Sequence, residues 1–392
     1  MEPMLRFKAD DGSDFPDWEE MTLGELFYIS AGGDIDKNNC AVKQSKDYPY
    51  PIYANALVNG GLYGYTNYYK IDGDTFTVTG RGDVGHAVAR HCKYVPIVRL
   101  LVCRPNMDDD VDFFAEQINY TRIFIESTGV PQLTAPQLSK TKVKRPSLPE
   151  QRKIADLLSA VDDVIAAQEA EVAAWEKRKK GVMQKLFSQE VRFKADDGSD
   201  FPDWEEKTLG ELGCFCSGVG FSERYQGHAN LPVDVYKVSD MNISGNEREM
   251  LRANNTVDES ILKKMKTKAI DQPSIIFAKV GAAIFAERKR IARKPFIVDN
   301  NMMVFTPNDE NDFEYIYWLT LTLRFASRAQ IGALPSYNAS DISGFVVNIP
   351  SLPEQRKIAD CLASLDDVIA KAKGELDAWR ELKKGLLQQM FV

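Results

Sequence analysis

The sequence is poor in the side chains that most often build metal sites and nucleophilic sites. It has only three histidines, His86, His91 and His228, and six cysteines among 392 residues. Cys214 and Cys216 lie close together, but no second pair of ligands follows them at the spacing of a zinc site. Cysteines scattered over so long a chain are typical of reduced, mostly buried thiols. We therefore expect no bound metal, no cofactor and no disulfide framework.

Long apolar runs are also missing. No stretch approaches the roughly eighteen apolar residues that cross a bilayer, and the opening residues MEPMLRFKAD lack the hydrophobic region of a signal peptide. We therefore expect a cytoplasmic protein with no membrane association. Hydrophobic residues make up 44% of the chain and charged residues 27%, which are values of a compact globular protein. A chain of 392 residues usually exceeds one hydrophobic core, so two or more domains are expected.

Strings of residues that carry nucleotide or methyl-group chemistry do not occur. The chain has no G-x-x-x-x-G-K-[ST] sequence and no Asn-Pro-Pro-aromatic or Asp-Pro-Pro-aromatic tetrapeptide, which resembles an amino-methyltransferase signature. The nearest nuclease-like string, Pro202–Lys207, loses its lysine in an earlier copy that ends at Met21. The run Asp108–Asp110 predicts a solvated loop, because nothing beside it completes a cation site. We expect a chain without catalytic residues.

Negative charge is in excess, with a formal net charge of −8, but it is unevenly distributed. The stretches Thr22–Pro146 and Lys207–Pro350 each carry a net charge of +1, so the remainder carries −10. Phosphate contacts supply much of a protein's affinity for nucleic acid, and the acidic total alone therefore argues against such a partner. The two nearly neutral stretches keep that partner possible.

An internal duplication organises the chain. The sequence RFKADDGSDFPDWEE at Arg6–Glu20 returns at Arg192–Glu206, and TLGEL follows both copies. A second pair shares 24 of 41 positions between Ser147–Phe187 and Ser351–Phe391. The intervening stretches, residues 27–146 and 213–350, diverge strongly. The layout predicts two similar halves related by a pseudo-two-fold, and it brings the two ends of the chain together.

The second pair of repeats predicts two long helices. Apolar positions alternate spacings of three and four, which is the seam of a coiled coil, and a proline stands near each helix start. An ordinary amphipathic surface helix is the alternative for each, but a seam sustained over several turns in both copies favours antiparallel pairing. The seam positions are Ile154, Leu158, Val161, Ile165, Gln168, Val172, Trp175, Lys179, Val182 and Leu186, and Ile358, Leu362, Leu365, Ile369, Ala372, Leu376, Trp379, Lys383, Leu386 and Met390.

The two divergent stretches predict compact α/β domains with a shared fold. Short β-like runs are separated by Gly, Pro and Asn clusters; they include Thr75–Thr79, Val95–Cys103, Ser274–Ala278 and Phe296–Phe305. Two weak correspondences link the stretches: Pro131–Thr134 matches Pro335–Asn338, and Thr79–Gly85 lies near the place of Ala278–Gly281.

Two divergent domains between duplicated segments, each ending in a P-S-L-P-E-Q-R-K-I-A helix start, resemble the specificity subunit of type I restriction-modification enzymes. The resemblance covers essentially the whole chain and is carried by Pro146–Ala155, Pro350–Ala359 and the TLGEL openings at Thr22 and Thr208. It implies two α/β target recognition domains separated by two long antiparallel coiled-coil helices. The expected divisions are residues 1–146 and 192–350 for the domains with their repeat segments, and 147–191 and 351–392 for the spacer helices.

The resemblance also implies a function and partners. Each variable domain would read one half of a bipartite, gapped target in double-stranded DNA, and the helices would set the gap. The repeated segments would dock two methyltransferase subunits, and restriction or translocase subunits would join through the complex. The chain itself would be non-catalytic.

Candidate contact residues follow from charge and position. Basic clusters suit phosphate. Arg81, between two glycines, could reach a base edge from a loop, and Lys279, before Gly281, occupies a comparable place. Solvated charged faces and ordinary turns are the alternatives. The DNA-binding candidates are Arg81, Gln132, Lys140, Lys142, Lys144, Arg145, Lys263, Lys264, Lys266, Lys268, Lys279, Arg288, Lys289, Arg290, Arg293, Lys294, Ser336, Tyr337 and Asn338. The partner-binding candidates are Pro149, Glu150, Gln151, Arg152, Pro353, Glu354, Gln355 and Arg356. The alternative role for these residues is to start and anchor the helices.

Two other readings remain. A two-armed protein-protein scaffold would fit the acidic pI near 5.2, and exposed apolar patches on both domains would favour it over a basic groove. The sequence argues against a fusion of a methyltransferase with a nuclease, because the motifs of both activities are missing.

Overall fold

The computed structural model describes residues 3–121, 132–330, 332 and 334–391. The chain forms two compact units, the first from residues 1–171 and 372–392 and the second from residues 172–371. Each unit therefore contains one variable stretch and a part of both long helices. Among the described residues, no helix has the length and apolar character needed to span a bilayer.

The described residues of the first unit form ten strands in three small sheets. Its strands are β1 (Glu19–Thr22), β2 (Phe27–Ala31), β3 (Cys40–Ala41), β4 (Tyr50–Tyr53), β5 (Leu62–Thr66), β6 (Thr75–Val78), β7 (Ala87–Arg90), β8 (Val95–Pro96), β9 (Leu101–Pro105) and β10 (Lys142–Arg145). The sheet orders are β1-β10, β2-β9-β6-β7 and β3-β5-β4-β8. All pairings are antiparallel except that of β4 with β8. Three short helices belong here: α1 (Leu23–Leu26), α2 (Val111–Thr121) and α3 (Ala135–Leu138).

The second unit repeats this plan, with nine strands among its described residues. They are β11 (Glu205–Thr208), β12 (Gly213–Ser217), β13 (Val233–Tyr236), β14 (Asn255–Val257), β15 (Ser274–Ala278), β16 (Lys289–Ala292), β17 (Phe296–Val298), β18 (Met302–Pro307) and β19 (Val346–Ile349). The sheet orders are β11-β19, β12-β18-β15-β16 and β14-β13-β17, with β13 and β17 parallel. Its short helices are α5 (Glu259–Met265), α6 (Phe313–Thr322) and α7 (Ala339–Ser343).

Both variable stretches thus have the α/β character expected of them, with one error in the strands. Val95–Cys103 and Phe296–Phe305 were each expected as one β run, but each is broken by a turn into two strands of different sheets. In the first unit, Val98 and Arg99 turn the chain with positive φ values of 45° and 62°. An apolar composition does not distinguish one long strand from two short buried ones, because both hide their side chains.

The two long helices are α4 (Leu148–Phe187, 40 residues) and α8 (Leu352–Met390, 39 residues). All twenty expected seam positions are buried or partly buried, which confirms the helical period. Within the first unit the helices run antiparallel: Arg380 of α8 donates to Glu169 of α4 (2.6 Å), and Lys383 reaches back to Asp162 (2.8 Å).

One lysine on each long helix also meets the variable part of its unit. In the first unit, Lys383 Nζ lies 3.2 Å from a carboxylate oxygen of Glu116 on α2, in addition to its bond with Asp162. In the second unit, the equivalent Lys179 pairs with Asp366 and lies 4.2 Å from the centre of the Trp318 ring on α6. A constant lysine-aspartate pair of the helices is thus completed by a different side chain in each unit, through an ion pair or a cation-π contact.

A buried carboxylate joins each repeated N-terminal segment to a long helix. Glu150 is fully buried, and both of its oxygens accept from Arg6, Nε at 3.0 Å and Nη2 at 2.9 Å, while Trp18 Nε1 donates at 3.1 Å. In the second unit Glu354 accepts from Arg192 at 3.1 and 2.8 Å and from Trp204 at 3.2 Å. The bond with Glu354 raises the pKa of Arg192. We call this arrangement the carboxylate clasp.

Two more polar residues of each helix start, a glutamine and a lysine, complete the joint. Gln151 donates to the carbonyl of Pro146 (2.9 Å) and accepts from the backbone N–H of Asp110 (2.8 Å), just before α2. Lys153 donates to the carbonyl of Lys8 (2.9 Å). Gln355 and Lys357 make the matching bonds in the second unit, to Pro350, Asp312 and Lys194. The P-E-Q-R-K string therefore fastens three chain segments together.

The two ends of the described chain lie side by side, as the duplicated layout predicts. The backbone N–H of Leu5 donates to the carbonyl of Gln389 at 3.0 Å. The equivalent bond in the second unit, from Val191 to Lys185 (3.2 Å), closes a continuous turn after α4. The same junction between a long helix and a repeated segment is therefore formed in both units. In the first unit the chain ends form it by contact, and in the second unit the chain runs through it without a break.

The carboxylate clasp gives a stability prediction. Glu354→Gln should lower the free energy of unfolding of the second unit by about 2 to 3 kcal/mol, because it removes the charge that Arg192 faces in a buried site. Glu205→Gln, which changes an exposed carboxylate of the same unit, should alter it by less than about 0.5 kcal/mol. Urea unfolding measures both. Equal stability of the two variants would show that the clasp is dispensable.

Candidate nucleic-acid interface

The same hairpin loop occurs at the same place in both units. In the first unit it joins β6 to β7, and the backbone N–H of Leu133 donates to the carbonyl of Gly80 at its base (2.9 Å). In the second it joins β15 to β16, and Tyr337 donates in the same way to Lys279 (3.2 Å). We call residues 79–86 the first reading loop and residues 279–288 the second.

These bonds test the sequence correspondences between the units. Bridges pair Arg81 with Gln132 and Val280 with Ser336, so the match of Pro131–Thr134 with Pro335–Asn338 is confirmed within the described residues; Pro131 itself lies outside them. Lys279, however, is not the counterpart of Arg81. The bonds align it with Gly80, one residue earlier, because the second loop is longer and shifts the apparent match.

The first reading loop presents hydrogen-bonding groups from a close-packed base. Arg81 is exposed, and its guanidinium lies 3.4 Å from the side-chain carbonyl oxygen of Gln132. Gly80 donates its N–H to Asn55 (2.7 Å). A Cβ at Gly80 would lie 2.9 Å from the carbonyl oxygens of Arg99 and Leu133, so only glycine allows the segments to approach so closely.

The second reading loop is anchored by an acid at its far end. Glu287 adopts a left-handed conformation (φ 51°), and its carboxylate accepts from the backbone N–H groups of Phe325 (3.1 Å) and Ala326 (2.8 Å). Lys289 donates to the same carboxylate (2.8 Å) and to the carbonyl of Leu323 (3.0 Å). At the near end, Gly281 (φ 80°) donates to the carbonyl of Pro335 (2.8 Å). The loop is therefore held at both ends before any ligand arrives.

The predicted DNA-binding residues divide into three groups by their position. Exposed side chains are those of Arg81, Lys140, Lys142, Lys263, Lys264, Lys266, Lys268, Arg288, Arg293, Lys294 and Asn338. Partly buried ones are those of Gln132, Lys144, Arg145, Lys279, Arg290 and Ser336, and fully buried ones are those of Lys289 and Tyr337.

Several of these residues already have protein partners. Lys142 and Lys144 share Glu20 at 2.7 and 3.4 Å, and the bond with Lys142 is the main cause that lowers the pKa of that carboxyl. Arg145 binds the buried carboxylate of Asp109 at 2.8 Å. These ion pairs reduce the positive charge available to phosphate. We therefore rank Lys142, Lys144 and Arg145 below Arg81 as contacts with DNA.

Three of the candidates have local structural roles. Burial lowers the pKa of Lys289, which anchors the second loop from inside. The hydroxyl of Tyr337 donates to the carbonyl of Ala278. Asn338 begins α7, and its side chain accepts from the N–H of Asp341 (3.1 Å). Because Lys289 and Tyr337 are buried in these roles, they are not favoured as contacts with DNA.

The partner-binding candidates are split by the carboxylate clasp. Glu150, Gln151, Glu354 and Gln355 are buried in the bonds described above. Pro149, Arg152, Pro353 and Arg356 are exposed. Only the exposed four present side chains to a partner.

The cysteines differ from expectation in their exposure. The six cysteines are free, but Cys103 alone is buried, while Cys92, Cys214 and Cys216 are exposed. The expectation of mostly buried thiols was therefore wrong; Cys214 and Cys216 lie on β12, an edge strand of its sheet. No group of three or more metal-ligating side chains occurs among the described residues.

Sequence reasoning missed three parts of this site. Asn55 and Glu287 hold the reading loops, but each acts on backbone groups far along the chain, which no local pattern indicates. Phe285, at the tip of the second loop, is 58% exposed. Its signal was the apolar string GAAIFA between two basic residues.

Comparison with known proteins identifies the class. A family model described as the type I restriction modification DNA specificity domain matches residues 16–174 and 202–378, which is most of the chain and one copy in each half. The chain belongs to this family. It is the sequence-specific DNA-binding component of a type I restriction-modification system, a non-catalytic role.

Individual relatives agree with this assignment. The MjaVIII specificity subunit, of a type I restriction enzyme of Methanocaldococcus jannaschii, is 24% identical over 317 residues, covering 73% of this chain and 70% of the relative. The putative MjaX specificity subunit of the same organism is 23% identical over 425 residues, covering 98% and 95%. The crystal structure of a type I S subunit from M. genitalium covers 100% of this chain and 99% of its own with a TM-score of 0.61 at 17% identity. That likeness confirms the fold.

Proposed function

We propose that each unit reads one half of a bipartite, gapped DNA target, and that its reading loop contacts the bases. The observation that carries the proposal is the pair of equivalent loops: both are fixed by the same backbone bonds, to Leu133 and to Tyr337, and yet they present different side chains. Equivalent positions suit equivalent approaches to a double helix. Different side chains suit different half-sites.

The first loop has the chemistry of direct base reading. A guanidinium can donate two hydrogen bonds to the N7 and O6 atoms of guanine, and a side-chain amide can bond to the N7 and N6 atoms of adenine. Arg81 and Gln132 offer these two groups beside each other. Exposed lysines such as Lys140 on the same unit are suited to phosphate, where they position the protein without reading sequence.

The long helices act as the spacer between the two half-sites. Both units use parts of both helices, so a change in helix length would alter both anchoring points of the variable stretches. The unread gap between the half-sites is then a property of α4 and α8. This assigns residues 147–191 and 351–392 to spacing, and residues 1–146 and 192–350 to recognition.

The partners are double-stranded DNA and two methyltransferase subunits, with restriction or translocase subunits joining through the complex in the cytoplasm. Two copies of one partner fit two copies of one surface. The exposed Arg152 and Arg356 occupy equivalent positions on the starts of α4 and α8. They provide the repeated charge that such a pair of docking sites needs.

Methylome sequencing of cells that carry this chain with its partner subunits tests half-site reading. We expect one gapped, two-part methylated motif, and Arg81→Ala should relax one base pair in one half because a bidentate contact discriminates by about 5- to 150-fold. The control is Arg104→Ala, which removes an exposed arginine of the same unit and should leave the motif unchanged. A continuous motif, or relaxation in both halves, would contradict the proposal.

Charge reversal tests the docking sites. Arg152→Glu together with Arg356→Glu should weaken binding of the methyltransferase subunits by at least about tenfold, since a rim charge that is reversed becomes repulsive. Lys373→Glu, an exposed change on α8 away from the helix starts, is the control. Binding can be measured by analytical ultracentrifugation after circular dichroism has shown normal folding. Unchanged binding of the folded double variant would remove the starts of α4 and α8 from the interface.

A further inference from the structure

The tip of the second reading loop is apolar and exposed. Residues 282–286 form a 3-10 turn, Ala-Ala-Ile-Phe-Ala, in which Ile284 is 2% exposed and Phe285 is 58% exposed. One side chain thus anchors the turn in the core and the next projects from it. Leu334, 62% exposed, lies beside the turn, because its Cδ1 would be 3.7 Å from a Cβ built at Gly281.

This tip is held rigidly. Glu287, directly after it, is bound to two backbone N–H groups and to the buried Lys289, and Gly281, directly before it, is bound to Pro335. A flexible surface loop could fold an exposed phenylalanine back against the protein. A loop fixed at both ends keeps the ring in solvent, where it is available for contact with a partner.

The surroundings of the tip indicate which partner. Lys279 and Arg288 stand in the same loop, and Arg324 and Arg328 flank the segment whose N–H groups bind Glu287. All four are cationic, and the one carboxylate in the loop is occupied by its own bonds. An apolar tip on a loop that carries cations, anchored to a segment that is flanked by cations, is complementary to a phosphate-lined groove with an apolar group at its floor. It is not complementary to the apolar surface of another protein.

Resting on the function proposed above, we propose that Phe285, with Leu334 beside its turn, recognises a thymine methyl group in the major groove of the half-site read by the second unit. The C5-methyl of thymine is the one apolar group that base pairs present in that groove, and phenylalanine is among the side chains that contact it. The counterpart loop of the first unit exposes Arg81, Gly82 and Asp83 instead. One half-site is thus read by hydrogen bonds and the other by apolar contact.

The test measures how the chain, in complex with its methyltransferase subunits, binds DNA duplexes that contain the motif identified by methylome sequencing. Every thymine of the second unit's half-site is replaced by uracil, which lacks only the methyl group. The wild-type complex should bind about fourfold more weakly for each contacted methyl lost. Phe285→Ala should weaken binding to the thymine duplex, and replacement by uracil should then cost almost nothing further, since the two changes remove the same contact.

Two controls keep the result specific. Leu251→Ala removes another exposed apolar side chain of the second unit, 52% exposed, and should keep the full sensitivity to uracil. Uracil in the other half-site should affect the wild-type complex and the Phe285→Ala complex equally. Normal binding to that other half-site also shows that the variant is folded.

Three results would overturn this inference while leaving the proposed function standing. The first is a two-part motif in which the half-site of the second unit lacks thymine. The second is that Phe285→Ala and uracil weaken binding additively. The third is unstacking of a base step, detected by 2-aminopurine fluorescence, while uracil has no effect on binding. The third result would indicate that the tip inserts between neighbouring base pairs. A motif without two parts would instead contradict the proposed function itself.

Discussion

A fully buried carboxylate needs hydrogen-bond donors for both of its oxygens, and in this protein that need joins the parts of each unit. Glu150 and Glu354 each receive two bonds from an arginine and one from a tryptophan of the repeated segment. Removing any member would leave a buried polar group unsatisfied. The near-identity of the repeats in the P-E-Q-R-K and D-W-E-E strings is what two copies of the same joint require.

The constant joint allows the rest of each unit to vary. Gln151 and Gln355 connect the joint to the starts of the variable helices α2 and α6. Each accepts a hydrogen bond from a backbone N–H, a group that every residue except proline provides. The reading loops are likewise docked through backbone groups of Gly80 and Lys279. Because these bonds are made by backbone groups, the side chains at other positions of the loops can change without loss of the frame.

The sequence alone predicted those features that repeat or follow a regular period. The heptad spacing indicated both long helices, and the ordered repeats indicated the two similar units and the family. Burial of charged residues was not predictable, because Glu150 meets Arg6 across 144 positions of the chain and Lys289 meets Leu323 only in the folded loop. The exposure of Phe285 was missed for the opposite reason: an apolar string is ordinarily read as core.

The most direct test of the account is to make the two units alike. In a chain whose residues 27–146 are replaced by a second copy of residues 213–350, both frames present the same reading loop. We expect a methylated motif in which two inverted copies of the second unit's half-site are separated by an unread gap. A folded chain of this kind that still methylates the original two-part motif, or a motif with two different halves, would contradict it.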